Sequence, residues 1–364
     1  NTPPFFAFGW FAGRIDMKVV LKQAKQLPQR IFDGVDALVD NKTGIASDEL
    51  KQLIEQEPQL IDPQFSLGRL YRKRGENDLA IKLHTKLLAS QYVMSNEIKD
   101  KIRLELALDF QKAGLIDRAE SILIQLMNSN LYSHQALEML LLIYQQDKNW
   151  GDAIETAKKL ANSDFSFHTE VAQFNCELAQ EAIIKSSLIK AQEFAHTALE
   201  TNRKCVRANI LLGEVFYNLE NYADAIQTWQ AIEKQNYQYL PLIMDKMFDA
   251  YLRLNKTKEC ITLIKGYVTL YPKLNMHDFV YQKLTSYDSP ESTLEYLRTA
   301  MLHPPNAKIA ALLIDARVNA LETQDGKRDA EQIKNILLKY NNKLSSYNCG
   351  CCKKKKKTFF WQCP

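Results

Sequence analysis

Four of the seven cysteines of this 364-residue chain fall in its last sixteen residues: Cys349, Cys351, Cys352 and Cys363. Cys349 and Cys352 form a C-x2-C pair, ten residues intervene before Cys363, and Pro364 follows at once. A two-residue gap lets one tight turn aim both thiolates at a single ion. A second such pair completes a tetrahedral four-sulfur site suited to zinc or iron. Cys349, Cys352 and Cys363 are the expected metal ligands. The sequence ends at Pro364, where a C-P-x-C pair still needs its last cysteine, so three of four ligands are expected within it. Lys353 to Lys357 lie between the ligands. They read as a solvated hairpin inside the metal knuckle in preference to a targeting or anionic-lipid patch, and their charge favours the ionised form of nearby thiols.

No other constellation carries chemistry. The histidines His84, His134, His168, His196, His277 and His303 lie far apart, with no H-x3-H or HExxH spacing, and no G-x-S-x-G, GxGxxG or GxxxxGK[ST] occurs. Carboxylates are dispersed along amphipathic segments, where pairing with lysine one turn away accounts for them. Cys176, Cys205 and Cys260 read as buried thiols, and His84 and Trp229 as core packing. No enzyme is expected.

The elements that position these residues are helical. Glycine (12) and proline (11) are scarce, 46% of residues are hydrophobic, and helix formers recur throughout. The charge balance, 47 basic to 43 acidic, gives no reason to expect nucleic acid. Irregularly placed cysteines do not form a secreted disulfide framework, which points to a reducing compartment. A small residue recurs at 46, 80, 119, 153, 191, 225 and 260, in steps of 34, 39, 34, 38, 34 and 35. Ahead of most stand apolar pairs such as Leu67-Gly68, Leu106-Ala107, Leu140-Leu141 and Leu212-Gly213, with Tyr71, Phe110, Tyr144, Phe216 and Tyr251 further on. This is a helix-pair repeat with a period near 34 residues, and the longer steps are expected to lengthen inter-helix loops. The small side chain lets the paired helices approach, and prolines such as Pro58 and Pro272 end second helices.

The pattern resembles tetratricopeptide repeats. The expected fold is all-α: a tetratricopeptide-repeat superhelix of about seven to nine helix pairs with a small C-terminal rubredoxin-like or zinc-ribbon knuckle. Repeats are expected over 31–272 and degenerate ones over 273–343, with Ile309–Leu321 and Asp329–Tyr340 as the last pair. The knuckle covers 344–364. Such an array offers a groove lined by first helices, suited to a peptide or partner helix. Arg69, Arg72 and Lys73 are polar first-helix residues that would face it, against the alternative of ordinary solvated surface.

The N-terminal end reads differently. Residues 1–13, NTPPFFAFGWFAG, are uncharged and aromatic, and Arg14, Lys18, Lys22, Lys25 and Arg30 follow with only Asp16 as acid. Thirteen residues are too few to cross a bilayer, which takes about 20 apolar residues. Residues 1–14 are read as the remnant of a transmembrane anchor and 15–30 as a basic linker held on the cytoplasmic side. Asn1 in place of Met agrees with a fragment. Gly9-x3-Gly13 matches a helix-pairing pattern and allows a homodimer.

Together these features resemble one bacterial family, lipopolysaccharide assembly protein B. The matching stretches are Gly9-Trp10-Phe11-Ala12-Gly13-Arg14, Leu67 to Glu76 (LGRLYRKRGE), Ala113 to Glu120 (AGLIDRAE) and the tail from Tyr347 through Cys349, Cys352 and Trp361 to Cys363-Pro364. Departures are Cys351, the lysine run, the absent fourth cysteine and the absent start of the anchor. The resemblance implies a bacterial inner-membrane, single-pass adaptor with most of the chain in the cytoplasm. It implies partnership with the FtsH protease, the LpxC deacetylase and an inner-membrane regulator of the lipopolysaccharide pathway, and a structural zinc or iron at the four-cysteine site. Two other classes stay open: rubredoxin-type electron transfer, and a generic peptide-binding tetratricopeptide co-chaperone.

Overall fold

A computed structural model of the chain describes residues 43–91, 94–161, 167–302, 307–318, 324–342, 347–349, 352–356, 359 and 361. The expected anchor remnant and basic linker lie outside these residues. Helices α1 (Thr43–Gln56), α2 (Ile61–Lys73), α3 (Asn77–Leu88), α4 (Asn96–Lys112), α5 (Ile116–Leu126), α6 (Ser133–Gln146) and α7 (Trp150–Ala161) come first. There follow α8 (His168–Ile184), α9 (Leu188–Thr201), α10 (Val206–Asn218), α11 (Tyr222–Asn236), α12 (Met244–Arg253) and α13 (Thr257–Leu270). The last are α14 (His277–Tyr287), α15 (Pro290–Leu302), α16 (Ala307–Val318) and α17 (Gln324–Asn342). A 3-10 turn, Tyr237–Leu242, precedes α12. The chain divides into two compact units between Glu177 and Leu178. No helix among the described residues is long and apolar enough to cross a membrane.

The fold is all-α and built from tetratricopeptide-type helix pairs. Ala46, Ala80, Ala119, Ala153, Ala191, Ala225 and Cys260 all have 0% exposure and sit on the second helices α1, α3, α5, α7, α9, α11 and α13. A larger side chain there would hold the packed helices apart. Two first-helix glycines show the same constraint more sharply. A Cβ on Gly68 would fall 2.3 Å from His84 Nε2, and one on Gly213 would fall 2.2 Å from Trp229 Nε1. The second helix thus presents a ring where the first has no side chain. Trp229 is 1% exposed, and its indole N–H donates to the Ile210 carbonyl at 3.2 Å.

Six of the pairs, from α2–α3 to α12–α13, turn through one repeated device. Gly75, Gly114, Lys148, Ser186, Glu220 and Asn255 all adopt a left-handed backbone, with φ between 56° and 81°. The following amide donates back to the carbonyl of Tyr71, Phe110, Tyr144, Ala182, Phe216 or Tyr251 at 2.8–2.9 Å. This is the Schellman ending, which satisfies carbonyls orphaned at a helix C-terminus.

The longer repeat steps have a different cause from the one expected. The surplus residues sit chiefly in first helices: α4 and α8 have 17 residues each, against 13 in α2 and 14 in α6. The last pair also starts earlier than expected: its first helix already includes Ala307 and its second already includes Gln324, ahead of Ile309 and Asp329.

Candidate functional site

The C-terminal cysteines begin in a short hairpin. Strands β1 (Tyr347–Asn348) and β2 (Lys355–Lys356) pair antiparallel, Tyr347 with Lys356 and Asn348 with Lys355. Within the turn, Cys349 N–H donates to the Lys354 carbonyl at 2.9 Å, and Lys353 N–H donates to the Cys349 carbonyl at 3.1 Å. Lys353 takes the left-handed conformation, φ 58°, that such a tight reversal demands. Cys349 is buried and Cys352 exposed. Cys351 and Cys363 lie outside the described residues. Cys349 and Cys352, the expected first ligand pair, thus lie at the tip of one hairpin. Among the described residues no group of three His, Cys, Asp or Glu is placed to hold a metal ion.

The hairpin is followed by an aromatic contact with the repeats of the same unit. Trp361 stacks on Tyr239, with ring centroids 5.5 Å apart and planes at 6°. Phe359 meets Tyr239 edge-on at 5.8 Å and Trp361 at 4.8 Å. The Arg207 guanidinium lies 5.5 Å from the Trp361 ring centroid, within cation–π range. Arg207 comes from the first turn of α10 and Tyr239 from the 3-10 turn ahead of α12.

In the first unit, the groove candidates on α2 meet charged partners. Arg69 Nε donates to Glu105 at 2.7 Å, and its Nη2 also contacts Glu105. Arg72 donates to the Glu105 carboxylate and, at 2.5 Å, to Asp109. Asp109 also accepts from His84 Nδ1 at 2.5 Å, so α2, α3 and α4 share one network. The Arg69 side chain is 53% exposed, Arg72 15%, Glu105 4% and Asp109 0%. Burial pushes the Glu105 carboxyl upward, but the hydrogen bonds and charges of Arg69 and Arg72 outweigh it and hold the group below the ordinary range. Burial likewise opposes the Arg72 charge, and the two carboxylates outweigh it. Phe65 lies under both Arg69 (4.5 Å) and Lys101 (4.4 Å). Lys73, the last residue of α2, is exposed.

Sequence reasoning missed Glu105 and Asp109, and it assigned His84 to apolar packing alone. The signal was present: both carboxylates interrupt the run Leu104-Glu105-Leu106-Ala107-Leu108-Asp109-Phe110, where a solvent-paired acid has no reason to sit. Arg207 and Tyr239 were missed as well, and no local motif marks them. A cavity of about 570 Å³ in the second unit, lined by Val268, Pro272, His277, Tyr296, Ala300 and Ile309, also has no motif. Burial, then the Lys308 charge, depresses the His277 pKa, and its Nδ1 lies 2.9 Å from the Tyr296 hydroxyl.

Comparison with known proteins adds the following. The tetratricopeptide repeat family model matches residues 190–241. Lipopolysaccharide assembly protein B of Escherichia coli K12 is 25% identical over 364 residues, covering 100% of this chain and 93% of that protein. The protein of the same name from Haemophilus influenzae is 26% identical over 372 residues, covering 98% of this chain and 92% of its own. Among solved structures, the MamA protein is 17% identical, covers 52% of this chain and 96% of that one, and superposes with a TM-score of 0.33.

Proposed function

We propose that this tetratricopeptide-repeat chain, a member of the lipopolysaccharide assembly protein B family, serves lipopolysaccharide assembly as a membrane-anchored adaptor that promotes FtsH-dependent proteolysis of LpxC. The observation that carries the reading is similarity along the whole chain to proteins of that name, at 25% identity over 93% of the relative's length. A helical repeat array suits the role because it offers an extended surface that recognises partners without performing a reaction. The apolar, aromatic segment 1–14, followed by basic residues, attaches the array to the cytoplasmic face of the bacterial inner membrane. There it meets the protease, and an inner-membrane regulator of the pathway bears on it. Cys349, Cys352 and Cys363 would hold zinc or iron, and such an ion would supply a structural cross-link for the C-terminal segment.

Mechanistically, the repeats bring the deacetylase to the protease, and proximity converts a rare encounter into an effectively intramolecular one. Pull-down from membranes tests the reading, with FtsH and LpxC expected together in the eluate. Depletion of the chain should lengthen the LpxC half-life several-fold. Unchanged LpxC turnover on depletion overturns it.

A further inference from the structure

Residues 332–364 contain eight lysines and no aspartate, glutamate or arginine, although the whole chain carries a formal charge of only +4. The remainder is therefore net acidic, and the C-terminal end is strongly positive against it. The structure shows how half of these lysines are presented. Lys353, Lys354, Lys355 and Lys356 are all exposed, on a turn whose backbone is fixed by the β1–β2 pairing and the Cys349–Lys354 hydrogen bond. The backbone that carries the four ammonium groups is thus already ordered before any polyanion arrives.

Two observations decide which polyanion suits them. A lysine is a compact point charge, whereas the planar fork of arginine, absent here, grips an individual phosphate in fixed geometry. Binding to single-stranded nucleic acid also draws on aromatic platforms for base stacking. The described aromatic residues that follow, Phe359 and Trp361, are already engaged with Tyr239 and Arg207. What remains is a dense patch that tolerates variable phosphate positions, the chemistry of a fluid bilayer surface. We propose that the lysine hairpin 353–356 is an electrostatic contact for an anionic phospholipid surface. The solvated hairpin expected from sequence becomes the means of presenting it.

The readout is lipid binding, so it stands or falls separately from LpxC turnover. The full chain and its K353Q/K354Q/K355Q/K356Q variant are compared by co-sedimentation with phosphatidylglycerol–phosphatidylethanolamine vesicles and with phosphatidylcholine vesicles. Adsorption through residues 1–30 is common to both proteins and cancels. Partitioning onto the anionic vesicles should fall about a thousandfold in the variant, given the contribution of each lysine near an anionic surface. It should fall similarly for the parent in high salt. The charge-retaining K353R/K354R/K355R/K356R variant should bind like the parent, which separates charge from any disturbance of the hairpin. Equal partitioning of the parent and glutamine proteins overturns the proposal. So does loss of binding in the arginine variant, or lysine-dependent binding to an RNA oligonucleotide that is tighter than binding to the vesicles.

Discussion

The Trp361 ring lies 5.5 Å from the Tyr239 ring and within 6° of parallel, joining the end of the C-terminal segment to a 3-10 turn of the repeats. Neither residue belongs to the repeat pattern or to the metal-ligand spacing. The contact ties the segment that holds the cysteines to the helices of its own unit.

Tyr239→Ala should therefore loosen that segment without unfolding the helices. Stacked aromatic pairs contribute about 0.5–1.5 kcal/mol beyond the area they bury. Amide exchange should accelerate across 347–361 while the helical circular dichroism stays at the parent value. Unchanged exchange there would mean the stack holds nothing in place.

Arg72→Met tests the network in the first unit. It leaves Asp109 and Glu105 buried with fewer cationic partners, and breaking a buried pair from one side costs about 3 kcal/mol or more. The urea midpoint of the first unit should drop accordingly. The pH dependence follows from Glu105, whose folded pKa is depressed. Such a carboxyl stabilises the fold fully above its unfolded value, about 4.3, and that stabilisation is lost as pH falls through the folded value. Glu105→Gln should flatten this acid limb, measured as the urea midpoint between neutral pH and the acid transition.

Gly75→Ala and Gly266→Ala isolate backbone strain, since crowding is absent from both. A Cβ at either position meets nothing within 4 Å, but Gly75 has φ +81° and Gly266 lies inside α13. The first change should destabilise by about 1–2 kcal/mol. The second should stabilise by about 0.5–1 kcal/mol. Thermal melts of the two variants should move in opposite directions.

The repeat was legible because it follows from local sterics. The seven small residues that set its period are all fully buried on second helices, where only a short side chain lets helices close up. The turns were less legible. A left-handed residue recurs in six of them, but only Gly75 and Gly114 announce it, while Lys148, Ser186, Glu220 and Asn255 adopt it under the Schellman hydrogen bonds. Repeat spacing also did not reveal where surplus residues go, because a helix and a loop lengthen the period alike.

The amino-acid sequence alone determined the helix-pair architecture, the cysteine pair at 349 and 352, and the lysine crowding between the cysteines, since each depends on spacing along the chain. Tertiary structure decided which charges meet: Arg69 and Arg72 with Glu105, and His84 with Asp109, across residue separations that no local pattern encodes. It also decided that Trp361 rests on Tyr239 and Arg207. The physical reason is the same in both cases. Periodic burial is a property of one helix and its neighbour, whereas an ion pair or a stacked ring between distant segments exists only once the fold has brought those segments together.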